Sequence, residues 1–221
     1  TSLAYKKKQI EIFQKLLDDE EFFLERKNKK NSAEAVWQEF FEKNKWIFGY
    51  GLNFIFTTSL DEKKIEQVVA GYNFNEAGKR VDALMKTRGL ISSLCFVEIK
   101  THQTALLMNN EPYRRECWRI SDELSGAISQ IQKSVYKATK QIASKTVMTD
   151  NEGDPTGEDV FLYNPKSFIV IGNLKQFITE KGINEEKYSS FEIFRRHLTN
   201  TEVITYDELY MRAQCILNIN Q

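Results

Sequence analysis

The apolar positions change period several times along the chain, and each change marks an element. Ile10, Ile12, Phe13, Leu16, Leu17, Phe22, Phe23 and Leu24 stand among Lys, Glu and Asp. That spacing predicts an amphipathic helix over residues 1–30, closing on the charged run Arg26-Lys27-Asn28-Lys29-Lys30. Asn31-Ser32 predicts an N-cap for a second helix over Ala33–Lys43. At ~100° per residue, Ala33, Trp37, Phe40 and Phe41 share one face of it, Glu39 and Glu42 lie opposite, and Glu34 falls on the border. Phe54–Thr58 reads as a strand, residues 61–67 as a charged loop or short helical turn, and Gln67–Tyr72 as the start of another strand. Residues 79–85 and 94–100 read as a hairpin around Arg88-Gly89. Ser121 caps a long helix whose buried stripe is Leu124, Ile128, Ile131, Val135, Ala138 and Ile142. Residues 149–159 form an acidic Gly/Pro loop and 167–172 a buried strand. Residues 173–198 are helical with a break at Gly182; 201–206 is a last strand, and Asp207 caps a closing helix, Glu208–Leu217. The order describes an α/β fold, a mixed sheet flanked by helices. An N-terminal helix and linker, residues 1–31, precedes one domain, residues 32–221.

Composition narrows the class. In 221 residues, 41% hydrophobic content supports a sizeable core. Lys+Arg and Asp+Glu are both 31, so a nucleic-acid surface must be a local patch rather than a property of the whole chain. Cys95, Cys117 and Cys215 are odd in number and without a CxxC pair, which argues against a disulfide framework and a zinc site and fits the reducing cytoplasm. No stretch approaches the ~18 apolar residues of a membrane span, and no signal peptide is visible. The start at Thr1 rather than Met is expected of part of a longer protein.

The chemistry concentrates in the hairpin. Side chains two apart on a strand share a face, so Glu98 and Lys100 point one way while Val97 and Ile99 point the other. Charges at the end of a buried strand are costly unless they meet a partner. The preceding strand brings Asp82 within an apolar surround. An acid followed by Glu-x-Lys on the next strand is an arrangement that holds a divalent metal against a phosphodiester. His102, just beyond, reads as a loop residue. Gln130 and Gln132 lie outside the apolar stripe of the long helix and are within reach of such a site. With zero net charge, DNA affinity would come from Lys79, Arg80, Lys86, Arg88, Arg114, Arg115, Lys133 and Lys137. The aromatic stretches Trp37–Phe41 and Trp46–Phe48 and the apolar face of residues 10–24 exceed what a small sheet obviously buries, which predicts an interface and a homo-oligomer, dimer or tetramer.

Lys79-Arg80-Val81-Asp82 followed by Phe96-Val97-Glu98-Ile99-Lys100 resembles the core of PD-(D/E)XK nucleases, without the Pro before the first acid. Further blocks make the resemblance to the nuclease domain of Shedu anti-phage defence proteins more specific. They are Trp37-Gln38-Glu39-Phe40-Phe41, Asn44-Lys45-Trp46-Ile47-Phe48-Gly49, Tyr113-Arg114, Leu124 to Gln130, and Ile204-Thr205-Tyr206-Asp207-Glu208-Leu209. The resemblance covers about residues 32–212. It implies a restriction-endonuclease-like sheet and a Mg²⁺-dependent DNA endonuclease of bacterial defence, with Mn²⁺ as the alternative ion. Asp82, Glu98 and the Ile99 carbonyl would hold the metal, Lys100 would hold the attacking water, and Gln130 or Gln132 would support them, with Glu34 as an auxiliary group. A regulatory region N-terminal to the domain is also implied. The alternative reading is a cleavage-inactive nucleic-acid-binding or oligomerisation domain on the same fold.

Overall fold

The first amphipathic stretch folds as two helices rather than one: α1 (Leu3–Asp18) and α2 (Glu20–Lys30). Asp19 makes the break. Its backbone is extended, its side chain accepts the Phe22 N–H at 3.0 Å, and Glu20 and Glu21 complement the new helix dipole. Apolar periodicity carries across this break, which is why it is invisible to a count of hydrophobic positions. Ser32 caps α3 (Ala33–Lys43) by accepting from the Ala35 N–H. The structure, a computed structural model, describes residues 3–49, 54–58, 83–87, 92–108, 111–142, 145–149 and 154–219. The expected loop at 61–67 and the strand start at Gln67–Tyr72 lie outside the described residues.

The sheet is mixed. β1 (Phe54–Thr58), β2 (Ala83–Thr87) and β3 (Ser92–Ile99) form an antiparallel meander in which Ala83 pairs with Val97 and Met85 with Cys95. Helix α4 (Asp122–Ile142) follows, with Ser121 accepting the Leu124 N–H at 3.1 Å as its cap. The acidic stretch after it is not simply an exposed loop. β4 (Lys145–Thr149) and β5 (Pro155–Val170) pair antiparallel from Thr149 opposite Pro155 to Lys145 opposite Phe161, and Lys145 meets Asp159 at 2.6 Å. A strand at the sheet border tolerates polar residues, so composition alone concealed it. The later part of β5 runs parallel to both β3 and β8 (Thr201–Ile204).

Residues 173–198, expected to be helical, hold a 3-10 turn (Leu174–Phe177), a short hairpin of β6 (Ile178–Thr179) and β7 (Gly182–Ile183), and only then helix α5 (Glu185–Arg196). Asn173 and Asn184 cap the turn and the helix through their own side chains, splitting the segment at both ends. The closing helix α6 (Tyr206–Ile219) begins one residue before the expected cap at Asp207. Glu208 accepts both the N–H and the hydroxyl of Thr205, and Asp207 instead accepts the Leu174 N–H.

Strand alternation divides the core into two layers. Cys95, Val97, Ile99, Phe168, Val170 and Ile204 face α1, α2, α3 and α6. Phe96, Ile169, Ile171 and Val203 face α4 and α5. Most aromatic residues of the stretches behind the expected interface are internal, while Phe22 and Trp46 are only partly buried. Phe13, Phe23, Trp37 and Phe41 are fully buried, and Ile47 and Phe48 close the same cluster. Helices α1 and α2 add Ile10, Phe13, Leu16 and Phe23 to that layer. Gly172, at φ 63°, lies just past β5 where a Cβ would be 2.8 Å from the Thr104 carbonyl oxygen, so the loop after β3 can lie directly on it.

Candidate functional site

Glu98, near the end of β3, is 2% exposed. Burying a carboxylate is unfavourable unless hydrogen bonds and charge compensate. Two groups do so here. The Gln130 side-chain amide on α4 donates to both carboxylate oxygens, at 3.0 and 3.1 Å. The Lys100 ammonium lies 3.4 Å from one of them and 3.8 Å from a carboxylate oxygen of Glu34, in the first turn of α3. Glu98 points with Phe96 toward the α4 layer, as alternation along β3 requires. Gln130 precedes the buried Ile131, so it sits on the rim of the buried face of α4 and reaches the strand end.

The backbone of Lys100 is fixed on both sides. Its N–H donates to the Val170 carbonyl at 2.8 Å, and its carbonyl accepts the Tyr206 hydroxyl at 2.5 Å. Tyr206 is fully buried against the Trp37 ring, with centroids 4.4 Å apart. Sequence reasoning missed this contact: Tyr206 reads as a strand residue, and nothing in its spacing links it to a residue 106 positions earlier.

The other expected site residues that the structure describes lie on α4, in the loop before it and on β2. Gln132 is exposed and points away from Glu98; it is Gln130 that reaches the acid. Lys133 is exposed and Lys137 half-buried on α4. Arg114 and Arg115 are exposed in the loop before α4, Arg114 over the Tyr113 ring and Arg115 3.9 Å from Glu116. Lys86 lies on β2. Lys79, Arg80, Asp82 and Arg88 lie outside the described residues.

His102 is a loop residue, but a buried one. Its Nδ1 accepts the Trp37 indole N–H at 3.0 Å and its ring packs edge-on to Phe23. Burial pushes its pKa down to about 4, with Asp18 opposing weakly. The unfolded chain, near 6.5, therefore takes up this proton first as pH falls. Stability contributed by neutral His102 is complete above about pH 6.5 and lost by about pH 4, at a cost on the order of 3 kcal/mol. His102→Gln, which keeps an acceptor for Trp37, is expected to flatten that part of the stability–pH profile in urea titrations at pH 7 and pH 4.5. An unchanged slope between them would show that His102 is not the responsible group.

Glu98 and Glu34 supply hard oxygen donors, the type that Mg²⁺ and Mn²⁺ take. Among the described residues no three His, Cys, Asp or Glu side chains cluster. Also among the described residues, no helix is long and apolar enough to cross a membrane.

A mixed α/β sheet between two helical layers carries a buried acid, a lysine two residues on and a glutamine from the next helix. A family model described as Shedu protein SduA, C-terminal, matches residues 31–210, and the chain belongs to that family. It is 29% identical over 190 residues to the Shedu protein SduA of Bacillus cereus (strain B4264), covering 86% of this chain and 47% of that relative. The chain thus spans about half the length of the curated relative it matches.

Proposed function

We propose that this chain is the catalytic domain of a metal-dependent DNA endonuclease acting in bacterial defence against phage, with a restriction-endonuclease-like, PD-(D/E)XK arrangement of Asp82, Glu98 and Lys100. The observation that carries the reading is the buried Glu98, held by Gln130 and flanked by Lys100 at the end of a central strand. A buried ion pair is a weak source of stability, because desolvation of both groups offsets most of their attraction. Its presence at a strand end beside a second carboxylate is better explained by chemistry than by folding. Asp82 is bonded directly to Ala83, whose partner in β3 is Val97, next to Glu98.

Asp82, Glu98 and the Ile99 carbonyl would hold Mg²⁺, which when bound would supply a more acidic water and neutralise phosphate charge. The chain's own residues do the rest. Gln130 fixes the Glu98 carboxylate by donating to both oxygens. Lys100 presents an ammonium to the attacking water and to the charge that develops on the phosphoryl oxygens. Tyr206, by holding the Lys100 carbonyl, sets the direction in which the lysine leaves the strand. Glu34 balances the ammonium from the far side. The test is cleavage of supercoiled plasmid with Mg²⁺, with EDTA, and with Asp82→Asn. Nicked or linear product is expected only in the first. Product in EDTA at the Mg²⁺ rate would remove the metal from the reading. DNA retention without cleavage under all three would favour a binding module.

A further inference from the structure

Several lysines and arginines elsewhere on the described surface fold onto carboxylates, such as Lys29 onto Glu25, Lys43 onto Glu39, Lys175 onto Asp18, Arg196 onto Glu192 and Arg212 onto Glu202, while Lys6, Lys15, Arg26 and Lys187 lie over aromatic rings. Helix α4 is distinguished by its lack of acids. Beyond its first turn it carries no Asp or Glu from Leu124 to Ile142. Among the described residues, the exposed Lys133 and Lys140 meet no carboxylate. Both instead lie over the ring of Tyr136, at 5.3 and 4.7 Å from its centroid, and Tyr136 is itself 49% exposed. Ser129, Gln132, Lys133 and Tyr136 line a shallow depression of about 430 Å³ on this face.

At ~100° per residue, Lys137, Lys133, Lys140 and Tyr136 follow one another around the helix from Gln130, away from the buried stripe. Tyr136 stands six residues beyond Gln130, about 9 Å along the axis at ~1.5 Å per residue. A polynucleotide strand whose phosphate lay at Glu98 and Lys100 would thus meet, a few nucleotides on, an aromatic ring set among cations.

We propose that this face of α4 binds single-stranded DNA, with one unpaired base stacking on Tyr136 while Lys133 and Lys140 swing from the ring to the flanking phosphates. The choice of a single strand over a duplex follows from the ring. Lysines alone suffice to track the backbone of either form, whereas a duplex keeps its base faces stacked inside and leaves an exposed tyrosine unused. A base has a π-face whatever its identity, so the contact is expected to be tolerant of sequence. In the free protein the two ammoniums cover that ring at water-exposed distances, and phosphates offer them full charge instead.

The location of the strand rests on the nuclease reading, but the binding is measured without cleavage. Fluorescence anisotropy of a labelled oligothymidylate and of a duplex of equal length is followed in EDTA, for the chain and for Tyr136→Ala, Tyr136→Phe and Lys133→Glu/Lys140→Glu. Tyr136→Ala is expected to weaken single-strand binding roughly tenfold while changing duplex binding less than about twofold. Tyr136→Phe, which keeps the ring, should bind as the wild type does. The double charge reversal should weaken both forms and reduce their salt dependence. Single-strand binding that ignores Tyr136→Ala, or falls equally for duplex, overturns the proposal even if the plasmid is cleaved. Ring-dependent single-strand binding by a protein that cleaves nothing sustains it and removes the nuclease reading instead.

Discussion

Glu98→Gln and Lys100→Met are each expected to lower plasmid cleavage roughly a thousandfold, the scale on which a preorganised charge-stabilising group is lost from a reaction centre. Stability should separate the single variants from the double: removing one partner leaves the other charge buried and uncompensated, whereas removing both does not. Glu98 is almost wholly buried and the Lys100 side chain is 18% exposed, so both are partly stripped of water to stand 3.4 Å apart. Gln at 98 keeps the shape and can still meet Gln130. Met at 100 keeps the stem and removes the ammonium. The double variant replaces a buried pair by neutral groups of similar volume, a change that is often neutral or stabilising by about 1–4 kcal/mol. Cleavage assays beside urea titrations of the two single variants and the double variant test this directly. If the double variant cuts at the wild-type rate, the site has been misassigned. If it is inactive but several kcal/mol less stable, the pair is a structural feature and the loss of activity says little about chemistry.

The largest loss of stability is expected from Trp37→Ala, about 3–5 kcal/mol. Trp37 is fully buried and its ring meets Phe13, Phe23, Phe40, Phe41, His102 and Tyr206. Removing it opens a cavity between the helical layer and the sheet and leaves the His102 Nδ1 acceptor buried without its donor. A loss of that size is a large fraction of the ~5–15 kcal/mol that holds a typical domain together. It also undercuts Tyr206, which packs on Trp37 and holds the Lys100 carbonyl. Trp37→Phe, which keeps most of the volume and removes only the N–H, should cost clearly less. The urea midpoint should fall with the slope unchanged. A midpoint shift worth less than about 1 kcal/mol would show that the ring cluster is not where the core's stability resides.

Much was determined by the order of residues alone. Glu98 and Lys100 share a face because strand side chains alternate, and that holds whatever surrounds the strand. Ser32 and Ser121 cap helices because a hydroxyl before an apolar-periodic run satisfies nearby N–H groups. The β2–β3 hairpin, the long helix α4 and the mixed sheet were legible in the same way, from local periodicity and capping. What lay beyond local reading depended on which distant segments meet. Asp19 divides one apolar period into two helices because a cap competes with continuation, and periodicity is blind to that. The polar stretch around β4 and the start of β5 becomes sheet because a partner strand offers its ladder. Trp37, Phe40 and Phe41 belong to the core because α1 folds back over them. Gln130 rather than Gln132 reaches Glu98 because α4 is rotated by the burial of Leu124, Ile128 and Ile131. Tyr206 reaches Lys100 only because β5 pairs with both β3 and β8, bringing the start of α6 to the same strand end. Helix and strand periods act over a few residues, whereas these contacts are fixed by packing across the whole domain.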